Sequence, residues 1–325
     1  MKISLIPLSA LCFGVLAVAA VTSTGRGAEP DFSSFWHDGR AELDGYLWSV
    51  SRYGQRRSGE CVMIYVTEPF SESKRVKVDD AARDPADTFD ALKLNLVRDF
   101  QTGIYDYNTM TSVFCRSEDF AAVKISFSSA EWCGHVYEEL RLDPRRGSGQ
   151  LFSYFQGESS TITLDGKPAG ISEDNLFILL RGLRGDYLRP GQTRSVPFLP
   201  GAFHRRLTHS PIRWRSAEIE RLAELQTVEV PAGEFLTIVY VVRTDDGREG
   251  RFFIEDDYPH RIVRWTWEAG SSGSRRGREA SETGQLTGTA RLKYWQLNDN
   301  GDERYLDRLG LRQATSPQSG PDVDE

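Results

Sequence analysis

A basic excess is missing from this sequence. Forty Lys and Arg residues stand against 47 Asp and Glu, a formal charge of −7. Proteins that hold polyanions by bulk electrostatics usually carry a net positive face, so nucleic acid is not an expected partner. Lysine is scarce, with seven residues from Lys2 to Lys293, and Arg supplies the other 33 basic side chains. Cysteine is scarcer still, at four residues in 325, which excludes a disulfide-dense scaffold. Also absent are a Gly-x-Ser-x-Gly elbow, a Cys-x-x-Cys or His-Glu-x-x-His pair, and a Gly-rich phosphate loop between a strand and a helix. Hydrolase triads, metal sites and nucleotide cofactors therefore have compositional support alone, and neither a metal nor a cofactor is expected.

What is present is an ordinary globular balance, 39% hydrophobic and 27% charged, with 11% aromatic residues. That balance rules out a collagen-like or wholly disordered chain. The chain opens with Met1-Lys2, an apolar run from Ile3 to Val21 and a small polar stretch from Thr22 to Ala28, the three-part layout of a secretory signal. A membrane anchor competes, because 19 residues reach the lower end of the roughly 17–25 that span a bilayer. Pro7, Gly14 and the small residues near the end of the run favour a signal over residues 1–28, cut after Ala20 or Ala28. Losing Lys2 and Arg26 with that segment takes the charge from −7 to −9. The expected location is the periplasm or the envelope.

Export also removes Cys12 and leaves Cys61, Cys115 and Cys133 in an oxidising compartment, where at most one pair can close. A hairpin could bring Cys115 and Cys133 within bridging reach. Cys61 reads as a small packed apolar residue. Cys133 is expected to be buried or bonded.

Period-two alternation runs through most of the mature chain, the mark of half-buried antiparallel strands. Val62, Ile64 and Val66 share one face, as do Leu92, Leu94 and Leu96, and Val123, Ile125 and Phe127. The clearest hairpin turns at Thr244-Asp245-Asp246-Gly247, because Asp-Gly accepts the positive φ that tight turns require, and Arg261 to Glu268 completes a meander. Helix is expected from Glu173 to Leu183 under a Ser172 cap. Ala217 to Leu225 leans to strand, Gly270 to Gln285 reads as a loop, Leu286 to Leu297 as a strand, and His204 and His209 fall in an Arg-rich, loop-like stretch. The expected fold is mainly β: antiparallel sheets forming a half-barrel or sandwich, with one or two short helices. The expected organisation is one domain over 29–312, with two β halves meeting near 146–170 as the alternative, and a disordered tail over 313–325.

Trp36-His37-Asp38-Gly39-Arg40, Ser51-Arg52-Tyr53-Gly54, Val66-Thr67-Glu68-Pro69-Phe70, Thr102-Gly103-Ile104-Tyr105-Asp106-Tyr107, Met110-Thr111-Ser112-Val113-Phe114 and Glu131-Trp132-Cys133-Gly134-His135 together resemble an exported bacterial family of unknown function, whose members sometimes carry the label "septum formation inhibitor Maf". The resemblance implies homology without a mechanism. True Maf proteins are cytosolic α/β nucleotide pyrophosphatases, and this chain departs from them in its leader, its β pattern and its lack of a phosphate loop. Further on, Val228-Glu229-Val230-Pro231-Ala232-Gly233-Glu234-Phe235 is similar to a segment of exported domains whose sheets resemble lipoprotein-carrier half-barrels.

Glu131-Trp132-Cys133-Gly134-His135 is the densest group of reactive side chains. A thiolate needs a neighbouring base or cation to become a nucleophile, and on a regular strand residues 131, 133 and 135 would share a face. Cys133 and His135 are thus the candidates for a catalytic role, against a packed cysteine beside a structural histidine. The recurring aromatics either fill a sandwich core or line a pocket for an amphipathic or ring-containing ligand. Tyr105, Trp132, His135, Trp265 and Trp267 are the candidates for that pocket. The leading reading is an exported protein that binds or carries a lipid or other apolar envelope ligand without catalysis. Its alternatives are an envelope hydrolase using Cys133 or His135, and an interaction protein whose sheet edge recruits an envelope protein.

Overall fold

The computed structural model describes residues 31–269 and 281–311. The export segment 1–28, the tail 313–325 and most of the stretch expected to loop from Gly270 lie outside the described residues.

The first half of the described chain is an eight-strand meander: β1 (Ala41–Arg52), β2 (Gln55–Ser71), β3 (Thr88–Thr102), β4 (Tyr105–Arg116), β5 (Ala122–Glu131), β6 (Gly134–Arg141), β7 (Arg146–Ser153) and β8 (Ser160–Asp165). It is preceded by a short helix, α1 (Phe32–Trp36). The second half contributes β9 (Ile171–Ser172), α2 (Leu176–Leu179), β10 (Thr193–Leu199), α3 (Ala202–Thr208), β11 (Arg215–Arg221), β12 (Gln226–Val230), β13 (Gly233–Thr244), β14 (Glu249–Glu255), β15 (Ile262–Glu268) and β16 (Glu282–Leu292).

All of these strands belong to one sheet. It runs from β8 back through β1, crosses to β16 and continues to β9, while β12 pairs with β13 off the main path. Its two ends, β8 and β9, do not pair with each other, so the sheet is mainly antiparallel and open. The expected mainly-β class holds. The central join is β1 against β16, from Ala41 opposite Leu292 to Val50 opposite Glu282. Alternation explains the shape. In β5 inward residues alternate strictly with outward ones, so one face of each strand must be covered.

That inner face is covered by the connection between β8 and β11, folded back onto the sheet. The Tyr65 hydroxyl donates to the Phe177 carbonyl at 3.0 Å and Arg52 Nη1 to the Leu207 carbonyl at 2.9 Å. The resulting core holds Tyr46, Trp48, Tyr65, Phe177, Phe252 and Trp265, all at most 2% exposed. Trp265 lies edge-on to Phe177 at 5.5 Å and to Tyr46 at 5.0 Å, and such pairs contribute about 0.5–1.5 kcal/mol each beyond their buried area. A Cβ on Gly284 would lie 2.0 Å from the Trp265 ring, so no larger residue fits beneath that indole. A second, smaller core on the outer face packs Leu43 and Val66 against Leu309 of a C-terminal 3-10 helix.

Charge is also buried at the centre. Arg181, fully enclosed, pairs with Glu42 at 2.7 Å and stacks over Tyr65 at 4.3 Å. Asp44 lies on the same face, and burial, with Glu42 adding to it, pushes its carboxyl up to about 8.

Several local expectations are corrected. The helix expected over 173–183 is a 3-10 turn, Glu173–Asn175, followed by α2, which ends at Leu179. Ser172 does cap it, but Gly182 at φ +63° turns the chain away. The strand expected over 286–297 begins at Glu282 and ends at Leu292, and Tyr294–Gln296 forms a 3-10 turn. The loop-like stretch around His204 is helix α3, buried along its length. Its polar composition concealed it, because its arginines pair with strand carboxylates rather than with water. His204 is among the buried residues; burial, with Arg248 beside it, pushes its imidazole down to about 4. Cys115 and Cys133 do not bond. Cys115 is buried and donates to Asn175 Oδ1 at 2.8 Å, whereas Cys133 is exposed and free.

Candidate functional site

The wing formed by β5 to β8 is less completely filled than the centre. Between it and α3 lies a cavity of about 450 Å³, within the roughly 300–1,000 Å³ range of small-ligand sites. Its apolar wall comes from the inward positions of four strands and the chain after α3, with Phe127, Val136, Leu151, Ile162 and Ile212 prominent. Arg205 and Arg206 of α3 also line it.

Helix α3 is held in place by acids at its start. The Gly201 N–H donates to Glu173 Oε2 at 2.9 Å and the Ala202 N–H to Asp174 Oδ2 at 3.0 Å, where negative charge suits the exposed amides of a helix start. Burial pushes the Asp174 carboxyl up to about 6. Further along, Arg205 pairs with Glu138 and Arg206 with Glu131, all four side chains at most 5% exposed. Arg206 also lies over Phe155 at 4.4 Å. Its Nε and Nη1, like the Nε of Arg205, are buried donors with no hydrogen-bond partner among the described residues. Burial, reinforced by the Arg52 cation, lowers the Arg206 pKa from its usual value. A buried guanidinium with free donors is costly.

At the rim of this wing Arg52 meets three tyrosines. Tyr105 donates to the Tyr53 hydroxyl at 2.8 Å, Tyr53 and Tyr107 share a bond of 2.9 Å, and Arg52 Nη2 reaches the Tyr53 and Tyr107 hydroxyls at 3.3 and 3.4 Å. Burial raises the Tyr107 phenol. For Tyr105 burial acts upward too, but the bonds to Tyr53, Thr102 and Tyr107 outweigh it and the net shift is downward. On the cavity side His209 Nδ1 lies 2.6 Å from Glu158 Oε1, with its ring 5.1 Å from Phe155.

The structure separates the residues singled out from sequence. Tyr105 and Trp132 meet at the rim with ring centroids 6.5 Å apart, and His135 lies one strand start beyond. Trp265 and Trp267, 0% and 2% exposed, are instead packed in the central core, Trp267 against Phe252 at 6.0 Å. The shared face expected for residues 131, 133 and 135 is not formed. Trp132 and Cys133 are the tip of the β5–β6 hairpin, so Glu131 points inward while Cys133 and His135 point to solvent. Gly134 makes this turn possible: its φ is +150°, and a Cβ there would lie 2.5 Å from the Tyr154 ring. No hydrogen bond joins Cys133 to His135. Among the described residues no group of three or more His, Cys, Asp or Glu side chains is placed to hold a metal ion.

Sequence reasoning passed over Arg205, Arg206 and Glu138, and took Glu131 only as a neighbour of Cys133 and His135. A signal for the two acids was available, since Glu131 continues the inward series of Phe127 and Ser129, and Glu138 lies between Val136 and Leu140. An acid on the apolar face of a strand calls for a buried cation.

No protein-family model and no curated protein matches the chain. Solved structures similar to it include a β-barrel-like protein of a domain of unknown function, DUF1849, from Brucella abortus, at 11% identity and a TM-score of 0.45, covering 77% of this chain and 97% of that one. A DUF1089 family protein from Pseudomonas aeruginosa is 12% identical with a TM-score of 0.34, covering 53% and 82%. A YmcC-like fold protein from Bacteroides fragilis, presumed to be exported, is 12% identical with a TM-score of 0.21, covering 77% and 95%. The Maf label is carried by none of the three.

Proposed function

We propose that this is an exported envelope protein that binds an amphipathic, envelope-derived ligand and holds it without chemical change. The apolar body of the ligand occupies the cavity between α3 and β5–β8, and its carboxylate or phosphate head lies beside the Arg206 and Arg205 guanidiniums in the wall. The observation that carries this reading is a cavity of about 450 Å³ with an aliphatic side and two guanidiniums, Arg205 and Arg206, in its wall. An aliphatic cavity without polar donors would be a packing gap. Arginines without a cavity would be structural.

The test uses the mature protein purified from the envelope, extracted for bound small molecules by mass spectrometry, then stripped and titrated with a fluorescent fatty acid. Leu151→Trp fills the cavity from a half-buried position and is expected to weaken binding by about tenfold or more while the circular dichroism spectrum is retained. Arg206→Gln keeps donors but removes the cation, and is expected to weaken an acidic probe more than its alcohol counterpart. Equal binding by wild type and Leu151→Trp would place the ligand elsewhere and sink the reading.

A further inference from the structure

The meander brings four turns to one end of the sheet. In an antiparallel series every second connection lies on the same side, and the β1–β2, β3–β4, β5–β6 and β7–β8 turns follow Arg52, Thr102, Glu131 and Ser153 respectively. Each of these turns presents one large apolar or aromatic side chain to solvent. Tyr53 is 50% exposed, Ile104 80%, Trp132 68% and Tyr154 64%. Scattered apolar residues on a surface are normal, but one on each of four successive tips, all at the same end, is an arrangement. Just behind the tips, Tyr137 and Phe152, also exposed, face each other across β6 and β7.

Charge follows the same pattern. The chain as a whole carries −7, yet Tyr53-Gly54-Gln55, Gly103-Ile104-Tyr105, Trp132-Cys133 and Tyr154-Phe155-Gln156-Gly157 contain no acid. Beside the tips the exposed charges are mixed, with Arg56 just after the first tip and Asp106 just after the second, and the Glu158 carboxylate behind them is paired with His209.

We infer that this rim docks the protein on a lipid bilayer. Trp and Tyr favour the headgroup level, where an apolar ring and a polar edge are both satisfied. Ile104 adds an apolar wedge, and binding of this kind grows with buried apolar area. Four separate anchors on four turns fit a laterally uniform, deformable surface better than a single protein partner, whose interface would be a contiguous patch. Gly157, Glu158 and His209, at this same end, also line the cavity, so docking sets the cavity mouth toward the bilayer and a ligand loads from it. Only the loading step rests on the ligand reading above.

The experiment is sedimentation of the mature protein with vesicles of phosphatidylglycerol and phosphatidylethanolamine, with phosphatidylcholine vesicles as the uncharged case. Wild type is expected to bind both kinds of vesicle, and Ile104→Glu with Trp132→Glu to lose about tenfold or more of that affinity. Leu236→Glu, an exposed apolar position just after the β12–β13 turn at the other end of the sheet, serves as the control and is expected to bind as wild type does. Quenching of Trp132 fluorescence by bromine-labelled lipid, read as the difference between wild type and Trp132→Phe, reports the same contact without a charge in the fold. Failure of wild type to bind, undiminished binding by the double variant, or equal loss in Leu236→Glu overturns docking, and self-association that depends on the same tips would assign the rim to a second copy of the chain. Leu151→Trp separates the two proposals: vesicle binding that survives in a variant that no longer takes the soluble probe leaves docking standing on its own.

Discussion

The centre of the sheet and its β5–β8 wing are built from the same kind of strand and covered by the same returning segment, yet they end in opposite states. At β1, β2, β15 and β16 the returning segment supplies Phe177 and Arg181, and the inner face is filled to the point that Gly284 has no room for a methyl group. At the wing, α3 supplies Arg205 and Arg206 to buried glutamates, and the aliphatic walls beside them meet a cavity. The centre packs its strand aromatics inside, whereas the wing displays Trp132 and Tyr154 at its turns. Filling is thus decided by what the covering segment brings to each part of the face, since a large ring closes a gap that two paired charges leave open.

The largest effect that would sharpen this contrast is expected at Arg181. Arg181→Leu removes the closer of the two cations beside buried Glu42 and leaves Arg261 at 3.9 Å; breaking a buried pair typically costs about 3–5 kcal/mol, read as a fall in the denaturant midpoint. A loss under about 1 kcal/mol would mean that the centre is not held by this pair. The corresponding truncation at the wing, Leu151→Ala, is expected to cost only about 1 kcal/mol, because that side chain is half-buried and borders the cavity. Should it cost as much as a core truncation, the wing is packed like the centre and the contrast fails.

Asp44 tests the electrostatics of the centre. Its carboxyl is raised to about 8 by burial against about 3.9 in an unfolded chain, so the fold prefers it protonated. Its stabilising contribution is complete below about pH 4 and is lost as the pH rises through about 8. Asp44→Asn mimics the neutral form, and its stability relative to wild type is therefore expected to increase from pH 5 to pH 8. Equal differences at the two pH values would show that the carboxyl is ionised throughout.

The smallest effect separates the thiols without altering the fold. Iodoacetamide on the native protein at pH 8 is expected to label Cys133 at its exposed hairpin tip. Cys61 and Cys115, buried and with their thiols pushed up by burial, are expected to react only after unfolding. Labelling of Cys115 at the rate of Cys133 would show that the core around Asn175 opens.

Much of this molecule could be read from local pattern. Alternation located the meander, Asp246-Gly247 the β13–β14 turn, and Ser172 the start of the short helical stretch, because each depends on neighbours within a few residues. The rim could be read only in part. Tyr105, Trp132 and His135 were picked out as chemically expressive residues, but a period-two extrapolation across residues 131–135 runs through a hairpin tip and assigns the faces wrongly. Trp265 and Trp267 show the opposite failure, because their exposure depends on Phe177, Phe198 and Phe252, which come from other parts of the chain.

What the sequence by itself determined is the strand framework and its inward and outward faces, since side-chain direction along a strand follows from covalent geometry. Tertiary structure alone decided that residues 202–208 are a buried helix, that Glu131 and Glu138 are the acids awaiting Arg206 and Arg205, and that a cavity remains beside them. Those outcomes depend on which distant charges meet, and the burial that makes such meetings obligatory exists only once α3 lies against the sheet.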